Sequence, residues 1–211
     1  MMMPGTSYPP AAQSHGPPPT AIISPQFCVG YPVDLTVVRK MLTLSEGNFG
    51  VTDVNGNLMF KVKGKLLSLH EKRTLLDAAG NPIVTFRQKM LSARSRWQVF
   101  RGESTDPKDM LFSVRRSSFL QLKTKLDVFL ASNVSEQVCD FRVEGNWFES
   151  SCVIYAGKSN NIVAQMKRNH TAQSLLLGKD NFGVTVYPNV DYAFIIALIV
   201  LLEEINTDGL E

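Results

Sequence analysis

Four basic residues at alternating positions are the strongest candidates for chemistry in this sequence. Arg87 and Lys89 are separated by one residue, and so are Arg94 and Arg96. Residues that alternate in this way lie on the same face of a β-strand. Each pair would therefore present two cations side by side, an arrangement suited to binding an anion. We predict that Arg87, Lys89, Arg94 and Arg96 bind a lipid headgroup.

Charge is unevenly distributed along the chain. Residues 58–125 hold 15 Lys and Arg against 5 Asp and Glu, whereas residues 126–211 hold 5 against 11. The basic segment includes Lys61, Lys63 and Lys65, which also alternate and would share one face of a strand. A run of like charge is often only a solvated face, and that interpretation stays open beside anion binding.

Two kinds of anionic partner fit this basic segment. A phosphoinositide headgroup or an anionic membrane leaflet attracts each Lys or Arg near its surface by about 1 kcal/mol. Nucleic acid is the second, but the net charge of the whole chain is only +3 and no predicted helix carries a basic stripe. We therefore expect an anionic phospholipid as the ligand, with protein partners as a further expectation, and we disfavour nucleic acid.

Motifs typical of enzymes and metal sites are absent from the sequence. The histidines are His15, His70 and His170. None of them stands in a motif that pairs a base with a nucleophile. The cysteines are Cys28, Cys139 and Cys152. Their odd number and wide spacing favour buried free thiols over a disulfide framework or a metal site. We predict a protein without catalytic activity, cofactor or bound metal.

The elements that must position the basic residues are β-strands. From residue 27 onward, short runs of alternating apolar and polar residues are broken by Gly, Asn, Asp and Pro, a pattern typical of an all-β body. Asp53 to Asn57 and Asp77 to Asn81 each end in Gly-Asn and predict hairpins, and Gly145-Asn146 predicts a further turn. About twelve strands result, of which one covers residues 83–91 and another covers residues 97–101.

One predicted helix lies near the C-terminus and has no solvent face. Residues 192–202 contain no strongly polar side chain, so protein or lipid must surround them. A tail anchor is the lipid alternative, but these 11 residues fall short of the roughly 20 that span a bilayer. We expect a core helix with Asn189 or Asp191 as its N-cap. Glu203 and Glu204 are predicted to mark where the helix reaches water.

Strand number and the apolar helix together predict a closed barrel. Twelve antiparallel strands in an open sheet would leave exposed edges, and closure removes them. Eight strands already give an interior that side chains just fill, so a wider barrel needs a plug. The sequence therefore predicts an all-β fold with one central helix, in which a closed antiparallel barrel of about twelve strands is threaded by the buried C-terminal helix.

The N-terminal residues have the composition of a disordered tail. Residues 1–25 contain seven prolines and no charged side chain, so they lack the apolar pattern that a packed segment requires. We predict a disordered tail over residues 1–25 and one barrel domain over residues 26–211. Neither a secretory signal nor a transmembrane span is predicted, so we expect a monomer in the cytoplasm that can act at the plasma membrane or in the nucleus.

Several of these features closely resemble the plant LURP-one-related family. The resemblance rests on the strand-rich body from Phe27, the Asp-x-x-Gly-Asn turns, and the sequence Asn-Phe-Gly-Val-Thr-Val-Tyr-Pro at residues 181–188 before the helix. That family is similar to the tubby C-terminal domain and to the phospholipid scramblases, whose shared fold is a twelve-stranded barrel threaded by a hydrophobic helix. The resemblance therefore implies the same fold as the strand pattern.

The resemblance also carries expectations about function. Tubby domains bind a phosphoinositide through basic residues on a strand pair, and the segment from Arg87 to Arg96 has a similar character. The founding member of the family is tied to plant defence against pathogens. We therefore expect a non-enzymatic module that tethers reversibly to phosphoinositide or anionic membrane and acts in plant defence signalling. The alternative is a protein-interaction scaffold or transcription-associated factor that does not depend on lipid.

Overall fold

The computed structural model describes residues 20–40, 49–63, 73–89, 96–118, 123–146, 151–168 and 179–207. These residues form twelve strands and one α-helix. In chain order they are β1 (Val33–Lys40), β2 (Phe49–Thr52), β3 (Leu58–Lys63), β4 (Arg73–Asp77), β5 (Pro82–Lys89), β6 (Arg96–Arg101), β7 (Met110–Ser118), β8 (Lys123–Leu130), β9 (Phe141–Asn146), β10 (Ser151–Ala156), β11 (Ile162–Arg168), β12 (Lys179–Val186) and α1 (Tyr192–Thr207).

All twelve strands form one closed antiparallel barrel. Each strand pairs with its neighbour in the sequence, and β1 closes the ring by pairing with β12 from Val33 opposite Val186 to Lys40 opposite Lys179. A closed ring has no unpaired edge that could recruit another strand. The predicted barrel of about twelve strands is confirmed.

Two hairpin turns have the geometry that their sequences predict. Gly56 and Gly80 adopt φ values of +82° and +94°, which a side chain would disfavour. In the first turn, one carboxylate oxygen of Asp53 accepts hydrogen bonds from the backbone N–H groups of Asn55 and Asn57, at 2.9 and 2.8 Å. The side-chain amide of Asn57 donates to the other carboxylate oxygen at 2.9 Å, and this bond, together with the backbone bonds, lowers the pKa of the Asp53 carboxyl. Both turns join paired antiparallel strands, so the predicted hairpins are confirmed.

The helix α1 fills the barrel. Its apolar residues are buried, among them Phe194, Ile195, Leu198, Ile199 and Leu202. The ring of Phe194 packs edge-on against the Phe112 ring of β7, with 5.0 Å between ring centroids. Alternate strand residues supply the surrounding wall, which explains why the helix is apolar on every side. The prediction of a core helix is confirmed, and the tail-anchor alternative is wrong.

Among the residues that the structure describes, no helix is both long enough and apolar enough to cross a bilayer.

The strand β9 continues through the position where the sequence predicts a turn. Gly145 is paired with Cys152 of β10 and with Thr124 of β8. A Cβ atom at Gly145 would lie 3.5 Å from Cδ2 of Leu202, which is an ordinary van der Waals distance. The turn prediction at Gly145-Asn146 is wrong, because both residues belong to β9.

Of the two predicted N-cap residues, Asp191 rather than Asn189 caps α1. One carboxylate oxygen of Asp191 accepts a hydrogen bond of 3.0 Å from the backbone N–H of Phe194, at the start of α1. The other oxygen accepts from the backbone N–H groups of three residues near the N-terminus, Ile22, Ile23 and Ser24. Burial raises the pKa of this carboxyl, while the four hydrogen bonds act in the opposite direction.

Residues 20–28, which we call the strap, lie across the mouth of the barrel where α1 begins. Ile23 is 4% exposed and Phe27 is 8% exposed, and the Phe27 ring packs against Tyr192 at 5.3 Å between centroids. The guanidinium of Arg101 donates a 2.7 Å hydrogen bond to the Ile23 carbonyl. The strap therefore packs against the barrel and the start of α1. The boundary between tail and domain at residue 26 stays a prediction, and residues 1–19 of the predicted tail lie outside the described residues.

The prediction that α1 reaches water at Glu203 and Glu204 is wrong. Glu203 and Glu204 are 7% and 3% exposed, because the barrel wall surrounds them as it surrounds the apolar residues. Glu204 forms an ion pair with Arg73, the first residue of β4, whose side chain is also buried. A buried carboxylate needs such a partner because desolvation penalises an isolated charge.

Candidate anion-binding site

Three of the four predicted headgroup-binding residues lie on adjacent strands. Arg87 and Lys89 are on β5 and Arg96 is on β6, where Lys89 is directly opposite Arg96 and Arg87 is opposite Gln98. Phe86, next to Arg87, and Trp97, next to Arg96, are buried inside the barrel, so these cations are on its outer face. We call Arg87, Lys89 and Arg96 the basic patch. The fourth predicted residue, Arg94, lies outside the described residues.

Neighbouring residues hold the side chain of Arg87 in place through only some of its N–H donors. One terminal nitrogen donates to Gln98 Oε1 at 2.9 Å, and the other lies 3.5 Å from the carbonyl oxygen of Thr105. The guanidinium carbon also lies 4.9 Å from the centroid of the Phe100 ring. A guanidinium has five N–H donors. Arg87 is exposed, so the remaining donors can bind an anion from solvent.

Arg96 differs from Arg87 because an acidic residue neutralises it. Its guanidinium pairs with the carboxylate of Glu136, a residue in the connection between β8 and β9. It also donates a 2.9 Å hydrogen bond to Ser113 Oγ on β7. The structure therefore brings three predicted residues together but leaves the net positive charge of the basic patch mainly to Arg87 and Lys89. Among the described residues, Lys89 has no acidic partner within ion-pair distance.

Acidic residues offset part of the positive charge on the wall beyond the basic patch. From β7 to β9, three basic residues lie beside two acids: Arg115 is 3.9 Å from Asp127, and Lys125 and Arg142 both lie 3.1 Å from Glu144. These pairs are only partly buried, so each stabilises the fold little. Part of the positive charge of these three strands is thus cancelled locally.

The other alternating basic residues of the sequence, Lys61 and Lys63, lie on β3, two strands away from β5. Lys61 and Lys63 of β3 both point outward, with Lys63 opposite Thr74 of β4. Between Lys63 and the outer cations of β5 lie the buried side chains of Thr74 and Thr85, whose hydroxyl oxygens are 3.4 Å apart. Small side chains thus separate Lys63 from the basic patch. Lys65 lies outside the described residues.

All three cysteines are free thiols, as predicted. Cys139 and Cys152 are buried and Cys28 is partly buried. Burial raises the pKa of the Cys152 thiol to about 12, and the charge of nearby Glu203 adds to this effect. Burial also raises the pKa values of the other two thiols. Since the thiolate is the reactive form, none of the three is set up as a nucleophile near neutral pH.

We expect Cys152 to resist thiol reagents until the barrel opens. In the native protein at neutral pH, Ellman's reagent should leave Cys152 unmodified, whereas in denaturing urea all three cysteines should react. Mass spectrometry of peptides after timed labelling would identify the modified residue. Rapid native labelling of Cys152 would contradict the burial of this thiol inside the barrel.

The described residues offer little for other chemistry. They contain no group of three His, Cys, Asp or Glu side chains that could hold a metal ion. An open groove of about 360 Å³ crosses β1, β11 and β12, but it is lined by one acid, Asp34, and one base, Lys167. Asp34 already accepts a 2.6 Å hydrogen bond from the Thr185 hydroxyl. The three histidines, His15, His70 and His170, all lie outside the described residues.

The fold defines a class of protein: a closed antiparallel barrel that encloses an apolar helix and carries basic residues on its outer wall. Comparison with known proteins places the chain more closely. The family model described as LURP-one-related matches residues 33–203. Two relatives from Arabidopsis thaliana are "Protein LURP-one-related 15", 59% identical over 97% of this chain and 92% of its own, and "Protein LURP1", 50% identical over 90% and 92%. The chain belongs to the LURP-one-related family.

A solved structure supports both the family and the fold. The X-ray structure of a protein from Arabidopsis thaliana is 52% identical in sequence and superposes with a TM-score of 0.69. The match covers 88% of this chain and 98% of the other. The sequence resemblance to the LURP-one-related family is therefore confirmed.

Proposed function

We propose that this protein is a non-enzymatic binding module that tethers reversibly to anionic membrane, with phosphoinositide-bearing bilayers as the preferred surface. The observation that carries the proposal is the pair of exposed cations on β5, Arg87 and Lys89, whose charge the neighbouring wall does not cancel. Each basic residue near an anionic leaflet contributes about 1 kcal/mol of attraction. Two or three such residues give weak, reversible attachment rather than insertion.

The form of the basic patch suits phosphate groups. Arg87 presents a planar guanidinium whose position is fixed by Gln98 and by the Phe100 ring, so little side-chain entropy is lost on binding. Lys89 adds a flexible point charge one residue further along the same face. This pairing agrees with the resemblance to tubby domains, which implies phosphoinositide binding on a strand pair. Because the founding member of the LURP-one-related family is tied to plant defence, we also propose a role in plant defence signalling.

The non-enzymatic part of the proposal rests on the described polar groups. The thiols have raised pKa values, and Asp127 and Glu144 on the outer wall are paired with bases. A pair of carboxylates or a nucleophile beside a base would be needed for hydrolytic chemistry.

Replacing Arg87 and Lys89 with glutamine should weaken vesicle binding about 25-fold, since two charges contribute about 2 kcal/mol in total. The measurement is co-sedimentation of the full chain with vesicles of phosphatidylcholine alone or with added phosphatidylserine or phosphatidylinositol bisphosphate. Higher salt should weaken binding of the unmodified protein, because charges are screened over roughly 8 Å at physiological ionic strength.

The matched control removes two cations from the other end of the barrel. Lys108 and Lys158 are exposed and lie in connections near the mouth covered by the strap. The variant Lys108→Gln with Lys158→Gln loses the same charge and should bind vesicles as the unmodified protein does. No binding of the unmodified protein to any anionic vesicle at low salt would reject membrane tethering and favour the scaffold alternative.

A further inference from the structure

One loop of the chain lies against the basic patch. Residues 131–140 connect β8 to β9, and we call them the β8–β9 loop. Within this loop, Glu136 forms the ion pair with Arg96, whose guanidinium also donates to Ser113 Oγ on β7. The β8–β9 loop is therefore held beside the outer wall of the barrel at the basic patch.

Two valines of the β8–β9 loop face solvent. Val134 is 90% exposed and Val138 is 51% exposed, and Val134 is the most exposed large apolar side chain among the described residues. Each valine stands two residues from Glu136, so its Cα lies no more than about 7 Å from the Cα of Glu136. Exposed apolar side chains and the basic patch are thus neighbours on this part of the wall.

Hydrogen bonds fix the shape of the β8–β9 loop. The side-chain amide of Asn133 donates to the Val138 carbonyl oxygen at 2.8 Å and to Asp140 Oδ2 at 2.9 Å. The amide oxygen of Asn133 accepts a 3.1 Å hydrogen bond from the backbone N–H of Glu136. Glu136 has a φ of +48°, in a region that is costly for residues other than glycine. The valines are therefore displayed by a defined loop, and little conformational entropy is lost when they contact a partner.

The exposed apolar side chains of another turn lack this setting. Val54 and Leu58 border the turn between β2 and β3 and are 75% and 42% exposed. In the ring of strands, β2 and β3 lie six positions from β8 and β9, on the opposite side of the barrel. Val54 lines the open groove that crosses β1, β11 and β12. Val54 and Leu58 therefore provide a matched comparison for the valines of the β8–β9 loop.

We propose that Val134 and Val138 enter the interfacial layer of an anionic bilayer while the basic patch binds its headgroups. This inference rests on the proposed membrane tethering and adds a second, apolar contact with the same surface. A single exposed valine needs no explanation. An apolar pair beside exposed cations, however, supplies the two components of interfacial binding, which are apolar burial and attraction to anionic lipid. Since Arg96 neutralises Glu136, this residue adds no unpaired carboxylate to the surface.

The first test replaces the two valines. The variant Val134→Ser with Val138→Ser should bind vesicles of phosphatidylcholine and phosphatidylserine about tenfold more weakly, because the partial burial of two valine side chains is lost. Added salt should weaken this variant and the unmodified protein by the same factor, because screening acts on charges and not on apolar contacts. The control Val54→Ser with Leu58→Ser should bind unchanged. Urea unfolding checks that each barrel is intact, and the single variants Val134→Ser, with about a threefold expected loss, and Val54→Ser replace any double variant that does not fold.

The second test reports where the β8–β9 loop lies. In the variant Val134→Trp, vesicles that contain brominated phosphatidylcholine beside phosphatidylserine should quench the fluorescence of the introduced side chain, because bromine quenches an indole ring only at short range. The variant Val54→Trp should show no such quenching. Both variants keep Trp97 and Trp147, so the difference between them isolates the substituted position.

The outcomes separate the two proposals. If the Val134 and Val138 variant binds as tightly as the unmodified protein while the Arg87 and Lys89 variant is weakened, the apolar contact is overturned and tethering by charge stands. If the Val54 and Leu58 control weakens binding as much, or if Val134→Trp is not quenched, the assignment to the β8–β9 loop is overturned as well. If the unmodified protein binds no anionic vesicle, membrane tethering itself fails, and the exposed valines are left to a protein partner.

Discussion

Replacement of Leu198 by aspartate should abolish soluble expression of the folded protein. Leu198 is 0% exposed and lies at the middle of α1, inside the barrel. An unpaired charge enclosed there would be desolvated without a partner, which costs at least several kcal/mol. A domain of this kind is stabilised by about 5–15 kcal/mol in total. The expected readout is loss of the protein from the soluble fraction and loss of a cooperative unfolding transition.

The control for this substitution places the same charge on the surface. Val134 is 90% exposed in the connection between β8 and β9. The substitution Val134→Asp should leave expression and unfolding nearly unchanged. A Leu198→Asp protein that stays soluble and unfolds as the unmodified protein does would show that α1 is not enclosed by the barrel.

Removal of the strap should be the second most damaging change. Deleting residues 1–27 takes away the buried side chains of Ile23 and Phe27, each of which contributes roughly 1.5–3 kcal/mol through burial. It also removes three backbone donors from the carboxylate of Asp191, which would remain buried with fewer hydrogen bonds. We expect a loss of about 5 kcal/mol in the free energy of unfolding, measured by urea denaturation.

The comparison for the strap is a shorter deletion. Removing residues 1–19 leaves the hydrogen bonds to Asp191 and the packing of Phe27 in place. This shorter protein should unfold at nearly the same urea concentration as the full chain. Equal stability of the two deletions would mean that the strap adds nothing to the barrel, and the predicted domain start at residue 26 would then be adequate.

The fold was predictable because its signals are local. Alternation within each strand and the apolar run at residues 192–202 are visible in short windows, and together they require a barrel around a helix. The Gly-Asn turns at Gly56 and Gly80 are equally local. The strap was missed because its two buried residues sit among prolines, and its anchor, Asp191, is about 170 residues away.

The candidate site was predictable only in part, for the same physical reason. Alternation correctly placed Arg87 and Lys89 on one outer face. The partner of Arg96, Glu136, is 40 residues away, so no short window reveals that its charge is neutralised. The buried pair between Arg73 and Glu204 is more distant still.

Closure between β1 and β12 also determines when the chain can fold. The last strand and the helix that fills the lumen are both synthesised at the end, after residue 178. Translation proceeds at about 5–20 residues per second, so eleven strands exist for several seconds with an open seam and an empty lumen. Pairing between residues 33–40 and 179–186 joins nearly the two extremes of the domain, a non-local contact that slows folding. During synthesis, the apolar wall residues are therefore exposed in a chain that has nothing yet to bury them against, and molecular chaperones have a defined interval in which to act.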